Sequence, residues 1–305
     1  LMSKIKFVTD SASDIPLELA EELDIDIIPF SIEIDGVIYK ENVDFTPQEF
    51  YKLMENAKSI PTTAQIPTYS YLQVFERYYQ EGYDLLMLVS LASTASSTFE
   101  RAVEARQMFY DEHPEAMKAY DIRVIDSKTF SIAYGYPVME SARMHRDGAA
   151  LSDILYFLDD WFNSFECYFT AFSFRYIRQS GRISAGRALM GELISIRPIL
   201  SIIDGAFNVI KKVHGDNAVL KAFSTLAAQR IREGHVYEIL SGTYQGISEK
   251  LERLLTAQLG HKPVGVFDVG SAIAINSGPD MLGFGFLGEY RRHERHPEDL
   301  GKYQK

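Results

Sequence analysis

The stretch that decides the fold is residues 85–98, LLMLVSLASTASST. Its first five residues are a continuous apolar run, which is typical of a strand buried on both faces in the centre of a parallel sheet. The nine residues that follow contain six hydroxyl groups and no charge. We therefore expect an α/β sheet with a hydroxyl-rich turn at the carboxyl end of a central strand.

Strand and helix signals alternate on both sides of this stretch. Before it, a strand at residues 4–9 leads into a helix that opens at Pro16, and after it a helix leads to a strand at residues 122–125. Repeated βα units imply a parallel sheet with helices on both faces. Residues 27–32 are predicted to form one strand, and the Pro- and Thr-rich residues 59–67 a loop.

The second half of the chain mixes strands and helices. Asp204-Gly205 predicts a hairpin turn between two strands. The pattern predicts two α/β domains, residues 1–160 with a parallel sheet flanked by helices and residues 161–290 with a mixed α/β arrangement. Residues 291–305 are expected to be a polar tail.

Composition and charge narrow the classes of partner. The chain has 305 residues and a formal net charge of −11, which argues against nucleic acid and against anionic membrane surfaces. No apolar stretch is long enough for stable membrane insertion, and no targeting segment is recognised. Cys167 is the single cysteine, so a reducing, cytoplasmic location is expected.

Three polar segments fall at strand ends, where ligands of parallel sheets bind. Residues 10–14 carry two aspartates, for which helix capping is favoured over metal binding. Residues 61–67 have no charged side chain but several neutral donors. Residues 90–98 suit either helix capping or the binding of an anion at a helix start, and both interpretations stay open.

Catalytic signals are weak. A serine nucleophile needs an adjacent base, yet no G-x-S-x-G elbow surrounds Ser93 or Ser96, and none of the seven histidines lies in a recognisable motif. Metal and nucleotide motifs are also missing from the sequence. No catalytic residue, metal ligand or cofactor is assigned, and a hydrolase or transferase that uses Ser93 or Ser96 on an acyl or phosphorylated substrate is the alternative function.

A local excess of positive charge interrupts this acidic chain. Between residues 167 and 191 there is no Asp or Glu, but there are four arginines, Arg175, Arg178, Arg182 and Arg187. Such a group is either a solvated helix face or a docking surface for a phosphate or an acidic partner.

The order of several short motifs resembles the DegV family of bacterial fatty-acid-binding proteins, some of which are the acyl-carrying subunit of fatty acid kinase. The similarity extends over roughly residues 4–288. The motifs that carry it are VTDSASDIP at residues 8–16, TAQ at 63–65, SSTF at 96–99, SGRIS at 180–184, RPIL at 197–200 and Gly278-Pro279.

The resemblance implies a long-chain fatty acid, such as palmitate, stearate or oleate, in a tunnel between the two domains. It implies that Thr63 and Ser96 bind the carboxylate, and that a fatty acid kinase subunit is the partner. The supporting contacts that it suggests are Thr62, Ser97, Thr98 and Asn276. Asn276 and Asp280 stand where the family usually has His and Gly, and these changes bear on the kinase partner more than on lipid binding.

Overall fold

The computed structural model describes residues 3–181, 195–244, 246–292 and 296–303. In these ranges the strands are Ile5–Asp10 (β1), Ile25–Ile28 (β2), Ser31–Ile34 (β3), Val37–Lys40 (β4), Thr62–Ala64 (β5), Leu85–Ser90 (β6), Asp121–Asp126 (β7), Phe165–Thr170 (β8), Ile196–Ile203 (β9), Ala206–His214 (β10), Tyr237–Ser241 (β11), Val266–Asp268 (β12) and Leu282–Leu287 (β13). The α-helices are Leu17–Glu22 (α1), Pro47–Asn56 (α2), Thr68–Gln80 (α3), Thr98–Glu112 (α4), Ile132–Arg146 (α5), Leu151–Ser164 (α6), Phe174–Ser180 (α7), Asp216–Arg230 (α8), Ile247–Leu259 (α9) and Ser271–Ser277 (α10).

The first sheet has four parallel strands in the order β2-β1-β6-β7. Every residue of β1 and β6 is buried, because helices cover the sheet. Helices α3 and α4 pack on each other, α4 also contacts β7, and α5 packs against β1 and β6. The predicted parallel sheet with flanking helices is confirmed, and its central strand is the apolar run that ends in the hydroxyl-rich turn.

The second sheet has six strands of mixed direction, in the order β10-β9-β8-β13-β11-β12. The predicted hairpin is confirmed, since Ile203 pairs with Ala206 and the two residues between them, Asp204 and Gly205, have φ angles of 50° and 78°. Two positive φ angles in a two-residue loop match the twist of the strands that it joins.

Strand β13, with the sequence LGFGFL, lies in the middle of this sheet but was not predicted from the sequence. Its glycines lower strand propensity, so the local pattern gives little signal. The packing explains one of them. A Cβ on Gly285 would lie 2.2 Å from the ring of Phe165 on β8, so only glycine lets this aromatic ring cross the strand.

The prediction of one strand over residues 27–32 is wrong. The structure has two strands there, and they join different sheets. Strand β2 extends the first sheet, whereas β3 pairs with β4 and β5 in a small antiparallel sheet. Pro29 separates them, because a proline has no N–H group with which to continue a ladder of hydrogen bonds.

The predicted loop at residues 59–67 also contains a strand. Strand β5 lies there, and Thr63 pairs with Ile32 of β3. The pairing fixes the backbone of a segment that the sequence indicated to be irregular.

Two features connect the halves of the chain. The predicted boundary at residue 160 lies within α6, which leads directly into β8, and the boundary stays a prediction. Beyond the second sheet the polar C-terminal segment returns to the first, where Gly301 accepts a hydrogen bond from the backbone N–H of Val124 at 3.0 Å. Within the described ranges, no helix combines the length and the apolar character needed to cross a bilayer.

Glu238 is an acidic residue that lies in the apolar core. It lies on β11, 1% exposed, and neither carboxyl oxygen has a hydrogen-bond partner among the described residues. Burial raises the pKa of this carboxyl well above its ordinary value. Gly285 pairs with Glu238 on one side and with Cys167 on the other, so the carboxyl shares a row of the sheet with a buried thiol.

Glu238 should make folding less favourable as the pH rises. Below a pH of about 4.3 both states are protonated, but above it the unfolded chain releases a proton that the folded state keeps. We expect urea unfolding of the wild type to show a free energy that falls between pH 5 and pH 8, and Glu238→Gln to reduce that fall by roughly 1–3 kcal/mol. The exposed Glu55→Gln serves as the control, and an unchanged pH dependence in Glu238→Gln would contradict this assignment.

Candidate functional site

A cavity of about 530 Å³ lies at the carboxyl end of β6 and reaches the second sheet. Both residues predicted to bind a carboxylate, Thr63 and Ser96, line it. The other polar residues of its wall are Gln65, Ser93, Thr94, Ser97, Asn276 and Ser277. Its apolar residues are Phe30, Ala64, Leu91, Ala95, Phe130, Phe169, Phe207, Ala272 and Ile273.

The cavity has an amphipathic lining without charge. None of these described residues is Asp, Glu, Lys, Arg or His. Three phenylalanines meet on its apolar side, where the ring centroid of Phe130 lies 5.7 Å from that of Phe169 and 6.3 Å from that of Phe207. Phe130 lies in the loop after β7 of the first sheet, whereas Phe169 and Phe207 belong to β8 and β10 of the second. The cavity therefore lies between the two sheets.

Ser96 lies immediately before the first turn of α4. Its Oγ is 2.7 Å from Oγ1 of Thr98 and accepts a hydrogen bond from the Thr98 backbone N–H at 3.3 Å. Ser97 occupies the N-cap position of α4 but makes no side-chain capping bond. The backbone N–H groups of a helix start whose N-cap side chain makes no capping bond, together with hydroxyl groups, favour an anion.

The loop that carries Ser96 is fixed at its other end. Ser93 donates from its hydroxyl to Oδ2 of Asp126 at 2.5 Å and from its backbone to Oδ1 at 3.1 Å. Thr94 donates to the carbonyl of Gly205 at 2.8 Å. The loop is therefore tied both to the end of β7 and to the hairpin of the second sheet.

The same contacts bear on the alternative of a serine nucleophile. The partner of the Ser93 hydroxyl is a carboxylate, and that of the Ser96 hydroxyl is Thr98. Among the residues that the structure describes, no histidine lines the cavity. A serine–histidine pair is therefore not found among the described residues of the lining.

Thr63 reaches the cavity from β5. Side chains alternate along a strand, and Thr63 is half-buried whereas Thr62 is exposed and lies outside the lining. Thr98 is fully buried behind Ser96 and does not line the cavity either. Of the supporting contacts expected from the sequence, the structure thus places Ser97 and Asn276 at the cavity.

Helix α10 provides the remaining wall and was not predicted from the sequence. It contributes Ala272, Ile273, Asn276 and Ser277 to the lining, and Asn276 donates to the carbonyl of Ala272 at 2.9 Å. The helix has only seven residues, all but one of them buried. Gly270 and Gly278, which flank it, are the only local signals that could have marked its ends.

The structure describes two of the four arginines that were predicted to form a positive group. Arg175 and Arg178 lie exposed on α7, which packs against α10 but contributes nothing to the lining. Arg182 and Arg187 lie outside the described residues.

Asp10, at the carboxyl end of β1, caps a turn as expected. Its carboxylate accepts from the backbone N–H of Ala12 at 3.2 Å and of Leu91 at 2.9 Å, and also from the hydroxyl of Tyr134. Burial raises the pKa of Asp10 to about 6, although these hydrogen bonds oppose the rise. Because Leu91 lines the cavity, Asp10 fixes one more part of the wall.

Known proteins resemble this chain over most of its length. The family model described as an uncharacterised protein of the DegV family matches residues 4–289. A DegV domain-containing protein of Caldanaerobacter subterraneus subsp. tengcongensis is 34% identical over 220 residues, which are 72% of this chain and 75% of that protein.

Two solved structures share the fold. A fatty acid (stearic acid)-binding protein from Eubacterium ventriosum ATCC 27560 is 25% identical, with a TM-score of 0.83 over 95% of this chain and 99% of that one. A DegV family protein from Thermus thermophilus, named for its fatty acid binding, is also 25% identical, with a TM-score of 0.79 over 94% and 100%.

Asp126 should be essential to the geometry of the Ser93–Ser96 loop. Its Oδ1 accepts from the backbone N–H groups of Ser93 and Lys128, and its Oδ2 accepts from the Ser93 hydroxyl. An asparagine has one acceptor oxygen, so the Ser93 hydroxyl would have to turn and accept from the N–H₂ group, and all three bonds would lose the charged acceptor. We expect Asp126→Asn to lower the free energy of unfolding by about 1–3 kcal/mol in urea titrations. The exposed Asp111→Asn on α4 is the matched control, and equal stability of the two variants would refute this role.

Proposed function

Because this chain belongs to the DegV family, we propose that it binds one long-chain fatty acid, such as palmitate, stearate or oleate, in the cavity between its two sheets. The observation that carries the proposal is the lining itself. Neutral donors and the start of α4, where the N-cap side chain makes no capping bond, lie in the same uncharged cavity as a cluster of phenylalanine rings. That combination matches a molecule with one anionic group and a long apolar chain.

We propose that Thr63 and Ser96 hold the carboxylate. A carboxylate that leaves water must receive hydrogen bonds, since an unsatisfied one costs several kcal/mol. The two hydroxyls come from separate elements, β5 and the loop before α4, and both line the cavity. Ser97 and Asn276 are the further contacts that the lining supports. Thr62 and Thr98 lie outside it.

In the proposed site, the apolar side of the cavity supplies most of the affinity for the acyl chain. Burying a methylene group contributes about 0.8 kcal/mol, so a chain of about 15 methylenes gives roughly 12 kcal/mol before costs. Association and ordering oppose this by several kcal/mol. The difference leaves enough free energy to retain the lipid during purification.

We further propose that the chain is a cytoplasmic carrier without catalysis of its own, and that a fatty acid kinase subunit is its partner. The full burial of the single cysteine fits a reducing compartment without requiring it. Neutral donors support the role of a presented carboxylate, because they do not neutralise it in an ion pair. The exposed Arg175 and Arg178 lie on a helix that packs against the α10 wall, where an acidic or phosphate-bearing partner would find them.

Removal of both hydroxyls tests the carboxylate site. Thr63→Val with Ser96→Ala should lose the bound acid, because the buried carboxylate would keep too few donors. Native mass spectrometry of the purified protein measures this directly as loss of the mass of a long-chain acid, with circular dichroism as the check on folding. Thr62→Val is the matched control on the exposed face of the same strand. A double variant that still holds one lipid per chain would contradict the assignment of Thr63 and Ser96 as carboxylate ligands.

Charge reversal tests the partner. Arg175→Glu with Arg178→Glu should leave the bound lipid in place but lower acyl-phosphate formation by an added fatty acid kinase subunit, because the docking charge is reversed. Lys221→Glu on α8 is a control for a general change of charge. Unchanged acyl-phosphate formation would remove these two arginines from the docking surface.

A further inference from the structure

Glu41 is a buried carboxyl group one layer behind the cavity wall. It is 1% exposed, and among the described residues no cation forms an ion pair with it. Its backbone N–H donates to the carbonyl of Phe30, a residue of the cavity lining, at 3.0 Å. Placing a carboxyl group here is costly unless hydrogen bonds satisfy it.

Three donors converge on the two oxygens of Glu41. Ser11 donates its hydroxyl to Oε2 at 2.6 Å, and the Ser11 oxygen accepts from the backbone N–H of Phe30 at 2.9 Å. The backbone N–H of Ala272 donates to Oε1 at 2.7 Å, and the hydroxyl of Ser271 donates to the same oxygen. Glu41 therefore joins the turn after β1 to the start of α10.

The bonds to Ser271 and Ala272 replace an ordinary helix cap. These two residues open α10, and the preceding N-cap residue, Gly270, has no side chain with which to cap it. An isolated helix of this length is not stable in water, so its position depends on packing and on the groups that hold its ends. Besides Glu41, the hydroxyl of Tyr51 holds this end by donating to the carbonyl of Val269.

Two other described parts of the wall are tied to the sheets. The Ser93–Ser96 loop is tied to β7 and to the β9–β10 hairpin, and Thr63 belongs to a paired strand. A fatty acid whose chain lies under α10 would exchange faster if that helix moved away from the cavity. Helix α10 is the short wall element whose start is held by side chains that are distant in the chain, among them Glu41 and Tyr51.

Building on the proposed fatty acid site, we propose that Glu41 is a positioning residue that latches α10 over the bound acyl chain. Opening of this latch then controls the rate of fatty acid exchange. Glu41 does not touch the lipid. It acts through Ser271 and Ala272, and so through the face of α10 that carries Asn276 and Ser277.

Exchange kinetics test the latch. The wild type and Glu41→Gln are mixed in stopped flow with cis-parinaric acid, a fluorescent long-chain fatty acid, and release is followed by a chase with excess oleate. Weaker hydrogen bonds to Ser11, Ser271 and Ala272 should speed both association and release by roughly tenfold, because both pass through the same open state. The dissociation constant should therefore change by less than about threefold.

Two further variants separate a latch from general loosening. Ser271→Ala removes one donor on α10 and should also speed fatty acid exchange. When it is combined with Glu41→Gln, the further increase in rate should be small. Ser271→Ala also carries the test if Glu41→Gln fails to fold. Glu166→Gln is the matched control, since Glu166 is equally buried but accepts hydrogen bonds from Arg230 on α8 and Tyr168 on β8. It should lower the melting temperature without changing the exchange rates.

Several results would overturn the latch. The first is that Glu41→Gln and Ser271→Ala both exchange the lipid at the wild-type rate. The second is that these variants release it faster but bind it at an unchanged rate. The third is that Glu166→Gln speeds exchange as much as Glu41→Gln does. A wild-type protein that takes up no cis-parinaric acid and carries no fatty acid would instead refute the proposed function. The two failures are therefore distinguishable.

Discussion

Buried or half-buried carboxyl groups that form no ion pair with another described residue help to hold the cavity of this protein in shape. Asp10, Glu41 and Asp126 each accept hydrogen bonds from backbone N–H groups and hydroxyls, and each fixes a different part of the wall. The wall itself carries no charge among the described residues. Because the charges lie one layer behind the lining, they rigidify the site without competing for the ligand.

The same rule governs how an acid would be held. Hydroxyls and backbone N–H groups satisfy a buried carboxyl group, as they already satisfy those of Asp10 and Glu41. A lysine or arginine in the lining would form an ion pair and would have to be desolvated with its partner. In the proposed site, the neutral donors of Thr63, Ser96 and the start of α4 would avoid that cost and would leave the carboxylate with its charge.

The apolar part of the cavity depends on contacts between the two halves of the chain. Phe130 comes from the first half, and Phe169 and Phe207 come from the second sheet. Phe30 joins them because Pro29 ends β2 and lets the chain turn into a separate small sheet, which also carries Thr63. One break in a ladder of hydrogen bonds therefore helps to place both an apolar and a polar part of the lining.

The sequence by itself determined the features that rest on local patterns. The buried run at residues 85–89 predicted the central parallel strand, Asp204-Gly205 predicted the hairpin, and the order of short motifs identified the family. It also selected Thr63 and Ser96, whose assignment as ligands remains a proposal. Only the tertiary structure decided that these two residues share a cavity, that β13 fills the middle of a sheet, and that α10 forms a wall held by Glu41. These features depend on contacts between residues far apart in the chain, where packing space and hydrogen-bond partners override weak local propensity.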